Sequence, residues 1–225
     1  TNTTAGISIV KYDGTGSNAT VGHGLGEAPA AIILKNYTRT AAQSWIVANR
    51  NLPSGFNDAI FLDLTNAKDT DSGYWNNTSP TSTVFSIGTN NKCNGNGDAH
   101  IAYCFAQKTG FSKFGSYPGN GLTNGPFIYT GFKPAWVMIK RTDDTANWHM
   151  YDNKRDDSNV VEQALQANTS AAEFTTSNKL DFYSNGFKST AANQSTTNTS
   201  GGNYIYMAFA ENPFVSSAGV PATAR

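Results

Sequence analysis

HIAYCFAQ, residues 100–107, is written again as YIYMAFAE, residues 204–211. The offset of about 104 residues lays Ile101, Phe105 and Ala106 on Ile205, Phe209 and Ala210, and sets Gln107 against Glu211. The same register matches GISIVKYDGTG from Gly6 with GFSKFGSYPGNG from Gly110, and HGLGEAPAAIILK from His23 with YTGFKPAWVMIK from Tyr129. It also matches SWIVAN from Ser44 with NWHMYDN from Asn147, and LTNAKD from Leu64 with NTSAAE from Asn168. Blocks that recur in one order mark a duplicated module. The copies are expected at residues 1–108 and 109–211, with a tail at 212–225.

Each copy, at about 110 residues, is long enough to close its own hydrophobic core. The chain has 225 residues, only 14% of them charged, with no net charge and no run of Lys or Arg. A partner held through phosphates needs a basic patch, so no nucleic-acid partner is expected. No stretch reaches the roughly 20 apolar residues of a membrane span, and no signal peptide opens the chain, so no membrane insertion is expected. The chain opens at Thr1 without an initiating Met, from which a missing N-terminal portion is expected.

The abundant Asn, Thr, Ser and Gly suit strands and turns and suit helices poorly. AAIILK (30–35) and AWVMIK (135–140) are short apolar runs, introduced by Pro29 and Pro134, that read as central strands buried on both faces. Further strands are expected at 7–12, 45–48, 59–64, 84–88 and 101–106, separated by DGTG, GNGDAH, YSNG and TSGGN. Val160 to Leu165 reads as a single helical turn that Asn and Thr then end. The expected fold is all-β: two tandem β-sandwich repeats of the jelly-roll kind, with the twice-written strand closing each. The expected cores are Ile32, Leu34, Trp45 and Phe105 in one copy and Val137, Ile139, Trp148 and Phe209 in the other. Within the repeated strand Ile101, Tyr103 and Phe105 share one face, and Ala102, Cys104 and Ala106 the other.

Taken together, HGLGEAPAAIILK, SWIVANR, GFKPAWVMIKRTDDTANWHMYDNKRD, ANTSAAE, DFYSNGFK, GGNYIYMAFAENPF and the terminal VSSAGVPATAR resemble a known family. It is the duplicated concanavalin-like β-sandwich module found at the C-termini of tail-fibre and other structural proteins of tailed phages, marine ones especially. The resemblance spans nearly the whole chain. It implies a component of the virion exterior (tail fibre, decoration or capsid-associated protein) and supplies no catalytic residue. The first copy has SWIVANRNLPSG where the second has NWHMYDNKRD, so a binding role of the loop at 152–155 need not be shared by the first copy.

Glycan cleavage needs two carboxylates at a fixed separation. The candidates are Asp63, Asp69, Asp71, Asp181 and Glu173, but Asp63 and Asp181 lie beside apolar strand residues and read as solvent-facing positions. There is no GxSxG elbow, and His23, His100 and His149 fall before a turn or in strands. The reading is therefore non-enzymatic. DTDSG places Asp69 and Asp71 as at the opening of a calcium loop, without the later bidentate Glu, so calcium is the one cofactor considered and an ordinary turn the other reading. Cys93 and Cys104 flank NGNGDAH; a bridge across that loop is open, but Ala208 replaces Cys104 in the second copy, which favours a small buried thiol.

A glycan platform is read at Trp75, with Tyr74, Asn76 and Asn77 beside it in the polar loop GYWNNTSP; the competing reading has Trp75 plugging the end of a sandwich. Phe214, Val215 and Val220 are read as an assembly contact, the tail docking on a sandwich edge or a neighbouring subunit. Two functions follow. One is a structural module that forms homo-oligomers, a trimer if it is a fibre, and binds other virion proteins. The other is a lectin-like module for host-surface glycan.

Overall fold

A computed structural model describes residues 1–211; the tail reading at Phe214, Val215 and Val220 lies outside the described residues. The chain is all-β and divides into two compact units, residues 1–64 with 68–107, and residues 65–67 with 108 onward.

In the first unit, β1 (Ile7–Asp13), β3 (Ala31–Asn36), β4 (Ile46–Asn49), β5 (Asp58–Phe61), β6 (Asp69–Thr70) and β8 (Ala99–Phe105) form one antiparallel sheet in the order β1-β8-β3-β4-β5-β6. A second sheet pairs β2 (Ala19–Gly22) with β7 (Val84–Ile87). Two helical turns, α1 (Ser72–Trp75) and α2 (Asn91–Asn94), lie in the connections. In the second unit a single sheet runs β10-β15-β14-β13-β12-β11-β16-β9. Its strands are β9 (Ser112–Pro118), β10 (Phe127–Tyr129), β11 (Pro134–Arg141), β12 (His149–Asp152), β13 (Val161–Gln166), β14 (Phe174–Tyr183), β15 (Gly186–Ser189) and β16 (Asn203–Ala210).

The orders can be laid on one another. Reading β9-β16-β11-β12-β13-β14 against β1-β8-β3-β4-β5-β6 puts the twice-written strand second in both, between the opening strand and the Pro-led apolar strand. The pairings agree in detail, since Ile32 faces Cys104 and Val137 faces Ala208. The β2–β7 pair has its counterpart in β10–β15, where the core pair Val21–Phe85 becomes Ile128–Phe187.

Alternation along β8 is as read, but the core lies on its small side. Ala102, Cys104 and Ala106 are buried with Ile32, Leu34, Trp75 and Phe85, whereas Ile101, Tyr103 and Phe105 stay half-exposed. The small side chains leave room for rings brought in by other elements, so bulk on this strand does not mark its inner face. The expected cores are corrected accordingly. Ile32, Leu34, Val137 and Ile139 belong to them. Trp45 instead packs beside Tyr103 under the Lys35 ammonium, and Phe209 joins Phe111, Phe114 and Trp136 at ring separations of 5.7–5.9 Å. Trp148 is buried but outside the second core cluster. The helical turn expected at Val160 to Leu165 is strand β13, where pairing to β12 and β14 overrides the local helix preference of Glu, Gln, Ala and Leu. Cys93 and Cys104 are free buried thiols, each held protonated by burial.

Both units close with the same polar lock. Asn94, fully buried, accepts from the Thr15 amide at 2.7 Å and donates to the carbonyls of Ser17 (2.6 Å) and Gly88 (2.7 Å). Asn198, equally buried, accepts from the Asn120 amide at 2.9 Å and donates to Leu122 (2.7 Å) and Ala191 (3.1 Å). One residue earlier in each copy, the Cys93 carbonyl accepts from the Tyr12 hydroxyl and the Thr197 carbonyl from the Tyr117 hydroxyl. The surrounding backbone bonds match as well. Gly14 N to Asp98 O and Gly119 N to Gly202 O are both 2.8 Å, and Asp98 N to Gly95 O and Gly202 N to Thr199 O are both 3.0 Å. Glycine is required here: a Cβ on Gly14 would sit 2.1 Å from the Gly95 carbonyl, and one on Gly119 2.2 Å from that of Thr199.

His149 on β12 is 2% exposed, with Nδ1 3.0 Å from the Tyr151 hydroxyl and Nε2 3.2 Å from the Gln166 amide. Burial holds the ring neutral, lowering its pKa from 6.5 to about 4. An unfolded chain takes up this proton near pH 6.5 and the folded one does not until about pH 4. Stability is therefore expected to fall as pH drops through that window, by on the order of 3 kcal/mol when complete. Urea titrations between pH 7 and 4.5 should show the slope, and His149→Gln should reduce it to the part left by His100, whose pKa burial also lowers; an equal slope in the variant would assign the proton uptake elsewhere.

Candidate functional site

The Trp75 platform is not available to a ligand. α1 begins at Asp71, whose carboxylate accepts from the Gly73 amide at 2.8 Å, and ends at Asn76 in the left-handed region, φ 51. That turn drives Trp75 and Tyr74 inward, leaving them 1% and 3% exposed in the first unit's core. A ring must present its face to stack on a sugar, so the platform reading is corrected: both side chains belong to the first unit's core. Asn76 and Asn77 remain at the surface, both with positive φ, and Asn76 accepts from the Asn18 amide at 2.9 Å.

The calcium candidates are engaged in the same turn. Asp69 accepts the Tyr74 hydroxyl at 2.8 Å, which raises the phenol's pKa further above the value burial sets, and Asp71 caps α1. Among the described residues no three His, Cys, Asp or Glu side chains are grouped to hold a metal. A second oxygen-rich stretch, TDDTAN at Thr142 to Asn147, is likewise tied up: Asp143 and Asp144 pair with Arg141 at 2.9 and 3.4 Å, and Asp143 accepts from the Asn203 amide.

Each of the remaining carboxylates read from the sequence has a partner of its own. Asp63 accepts from the Trp45 amide at 3.1 Å, Glu173 pairs with Arg155 at 2.6 Å, and Asp181 accepts from the Tyr183 hydroxyl at 3.2 Å.

What the second unit does form is a polar cleft of about 80 Å³, lined by Lys133, Asn153, Asp156, Asp157, Ser158 and Asn159 over the apolar side chains of Val161 and Phe182. It is built by the loop after β12, in the copy that carries NKRD. Asp152 turns the chain by accepting from the amides of Lys154 and Arg155, both at 2.9 Å. Asp156 accepts from the amides of Glu162 (2.8 Å) and Gln163 (2.6 Å), where the β13–β14 ladder shifts register. Asn159 pairs with both backbone groups of Phe182, continuing the ladder with a side chain. Lys154 and Asn153 hold Glu211, whose carboxyl they keep below its usual range. With Asp156 and Asn159 spent on backbone and the Lys133 charge acting on Glu211, Asp157 and Ser158 supply the cleft's remaining polar groups, which suits hydroxyl recognition better than proton transfer between paired carboxylates. The copies differ at residues 152–155, of which only Asn153 lines the cleft; Lys133, just before β11, and Phe182 on β14 reach it from elsewhere in the chain.

The chain belongs to the family defined by a domain of unknown function, DUF7483, which residues 1–213 match. None of the curated proteins and none of the solved structures matches it.

Proposed function

We propose that the chain is a non-enzymatic structural module of a tailed-phage virion, two tandem concanavalin-like β-sandwich repeats on the particle exterior that assemble with themselves and with neighbouring subunits. The observation that carries this reading is the lock written twice, Tyr12–Cys93–Asn94 and Tyr117–Thr197–Asn198, around the same strand order. A scaffold that spends a buried asparagine in each half on locking its own closing turn supports a structural role, and its sequence blocks resemble those of phage structural modules. The homo-oligomer, a trimer in a fibre, belongs to the same proposal. Gold-labelled antibody against the chain, applied to intact virions of the phage that encodes it, is the test.

A second reading, recognition of host-surface glycan, is favoured by one difference between the copies: β10 carries exposed Phe127 and Tyr129 where β2 carries Thr20 and Gly22. The two functions are compatible.

A further inference from the structure

We infer that the outer face of β10, β15 and β14 is a stacking platform for a neutral pyranose oligosaccharide, formed by Phe127, Tyr129 and Tyr183. The inference rests on the glycan-binding reading and gives it a site.

The sheet register assembles the platform. Tyr129 faces Gly186, which faces Tyr183, and in the next row Phe127 faces Lys188, which faces Asp181. Residues in these rows alternate with Ile128, Phe182 and Phe187, which enter the core, so the three aromatic side chains share the opposite face. They are 63%, 48% and 38% exposed for Tyr129, Phe127 and Tyr183. The Phe127 ring lies across Gly186, where a Cβ would come within 2.9 Å of its Cζ, and meets Tyr183 edge to face at 5.7 Å. Tyr129 and Tyr183 stand two strand spacings apart, roughly 9–10 Å, a span for an oligosaccharide rather than a single sugar.

The fold does not need the two rings on β10. At the same register the first unit keeps the core pair Val21–Phe85 and fills the flanking outward positions of its edge strand with Thr20 and Gly22. One architecture therefore closes with and without the aromatics, and burial does not explain them. The three rings' exposed area is about 300 Å² together. It is ample for sugar rings.

The chemistry beside the rings is that of a hydroxylated, uncharged ligand. Lys188 and Asp181 face each other across strands with opposite charge, and Lys188 is oriented by the Asn124 side-chain carbonyl. Asp181 accepts from the Tyr183 hydroxyl at 3.2 Å, which fixes that ring. A ring's face takes the C–H face of a pyranose while ammonium and carboxylate take its hydroxyls.

The test is surface plasmon resonance of the whole chain over immobilised gluco-, manno- and galacto-hexasaccharides. Wild type is expected to bind at least one of them; Phe127→Thr combined with Tyr129→Gly, which writes the first unit's residues into β10, should weaken binding at least tenfold, while Tyr129→Phe, which keeps the ring, should stay within about threefold. Should the double variant fail to fold, Tyr183→Ser carries the same expectation. Wild-type binding that survives loss of the rings would overturn the platform and leave glycan recognition standing. Silence of wild type toward all three sugars would overturn both. A change in the variant's solution mass without a change in sugar binding would make the face a subunit contact and overturn the proposal.

Discussion

Asn94→Ala is expected to cost about 2–4 kcal/mol of unfolding free energy, and Asn198→Ala nearly the same. Each substitution removes a fully buried carboxamide together with its bonds to one backbone amide and two backbone carbonyls of the closing turn. A typical intramolecular hydrogen bond contributes about 0.5–1.5 kcal/mol net, so three lost together sum to about 2–4 kcal/mol, a large share of the 5–15 kcal/mol typical of a domain. The near-equality matters as much as the size. The two side chains hold corresponding turns by one amide and two carbonyls each, so urea midpoints of the single variants should fall together. Losses below about 1 kcal/mol, or a large loss in one unit only, would show that the lock is incidental in the unit that tolerates it.

Trp75→Ala is expected to cost about 3–5 kcal/mol by opening a cavity in the first unit's core. The indole packs in the same core as Leu34, Phe85 and the small face of β8, at 1% exposure. Its Nε1 has no hydrogen-bond partner, so the side chain is held by volume against a standing polar penalty. Trp75→Phe therefore should lose much less than Trp75→Ala, because the smaller ring gives up contacts but removes the unpaired N–H. Calorimetric melting of both variants decides the matter. An alanine variant that melts with wild type would place the side chain at the surface, where a ligand could reach it.

Strand positions were legible because alternation and β-branched runs are local, and the repeat was legible because it is a property of the string itself. The inner face of β8 was not. Alternation separates Ala102, Cys104 and Ala106 from Ile101, Tyr103 and Phe105, but which set turns inward depends on Trp75 and Phe85, which the chain brings from other elements. Trp75 misled for the same reason: a polar loop around an aromatic says nothing about where a short capped turn will aim it. β13 was missed because VEQALQ has helix-forming residues and its strand state comes from neighbours on both sides. The lock residues were hidden by abundance, Asn being common here, yet Asn94 and Asn198 sit at the repeat offset with Tyr12 and Tyr117 at nearly the same one. Phe127 and Tyr129 required the opposite use of the repeat, since the signal lies in where the copies differ.

The proposal that the chain belongs to the exterior of a virion is tested most directly by immunogold electron microscopy of intact particles. Antibody raised against the whole chain should label a fixed, repeated place on the outside of unbroken virions, and should do so without detergent or disruption. Labelling confined to infected-cell lysate, with bare particles whose disrupted contents also fail to react, would contradict it.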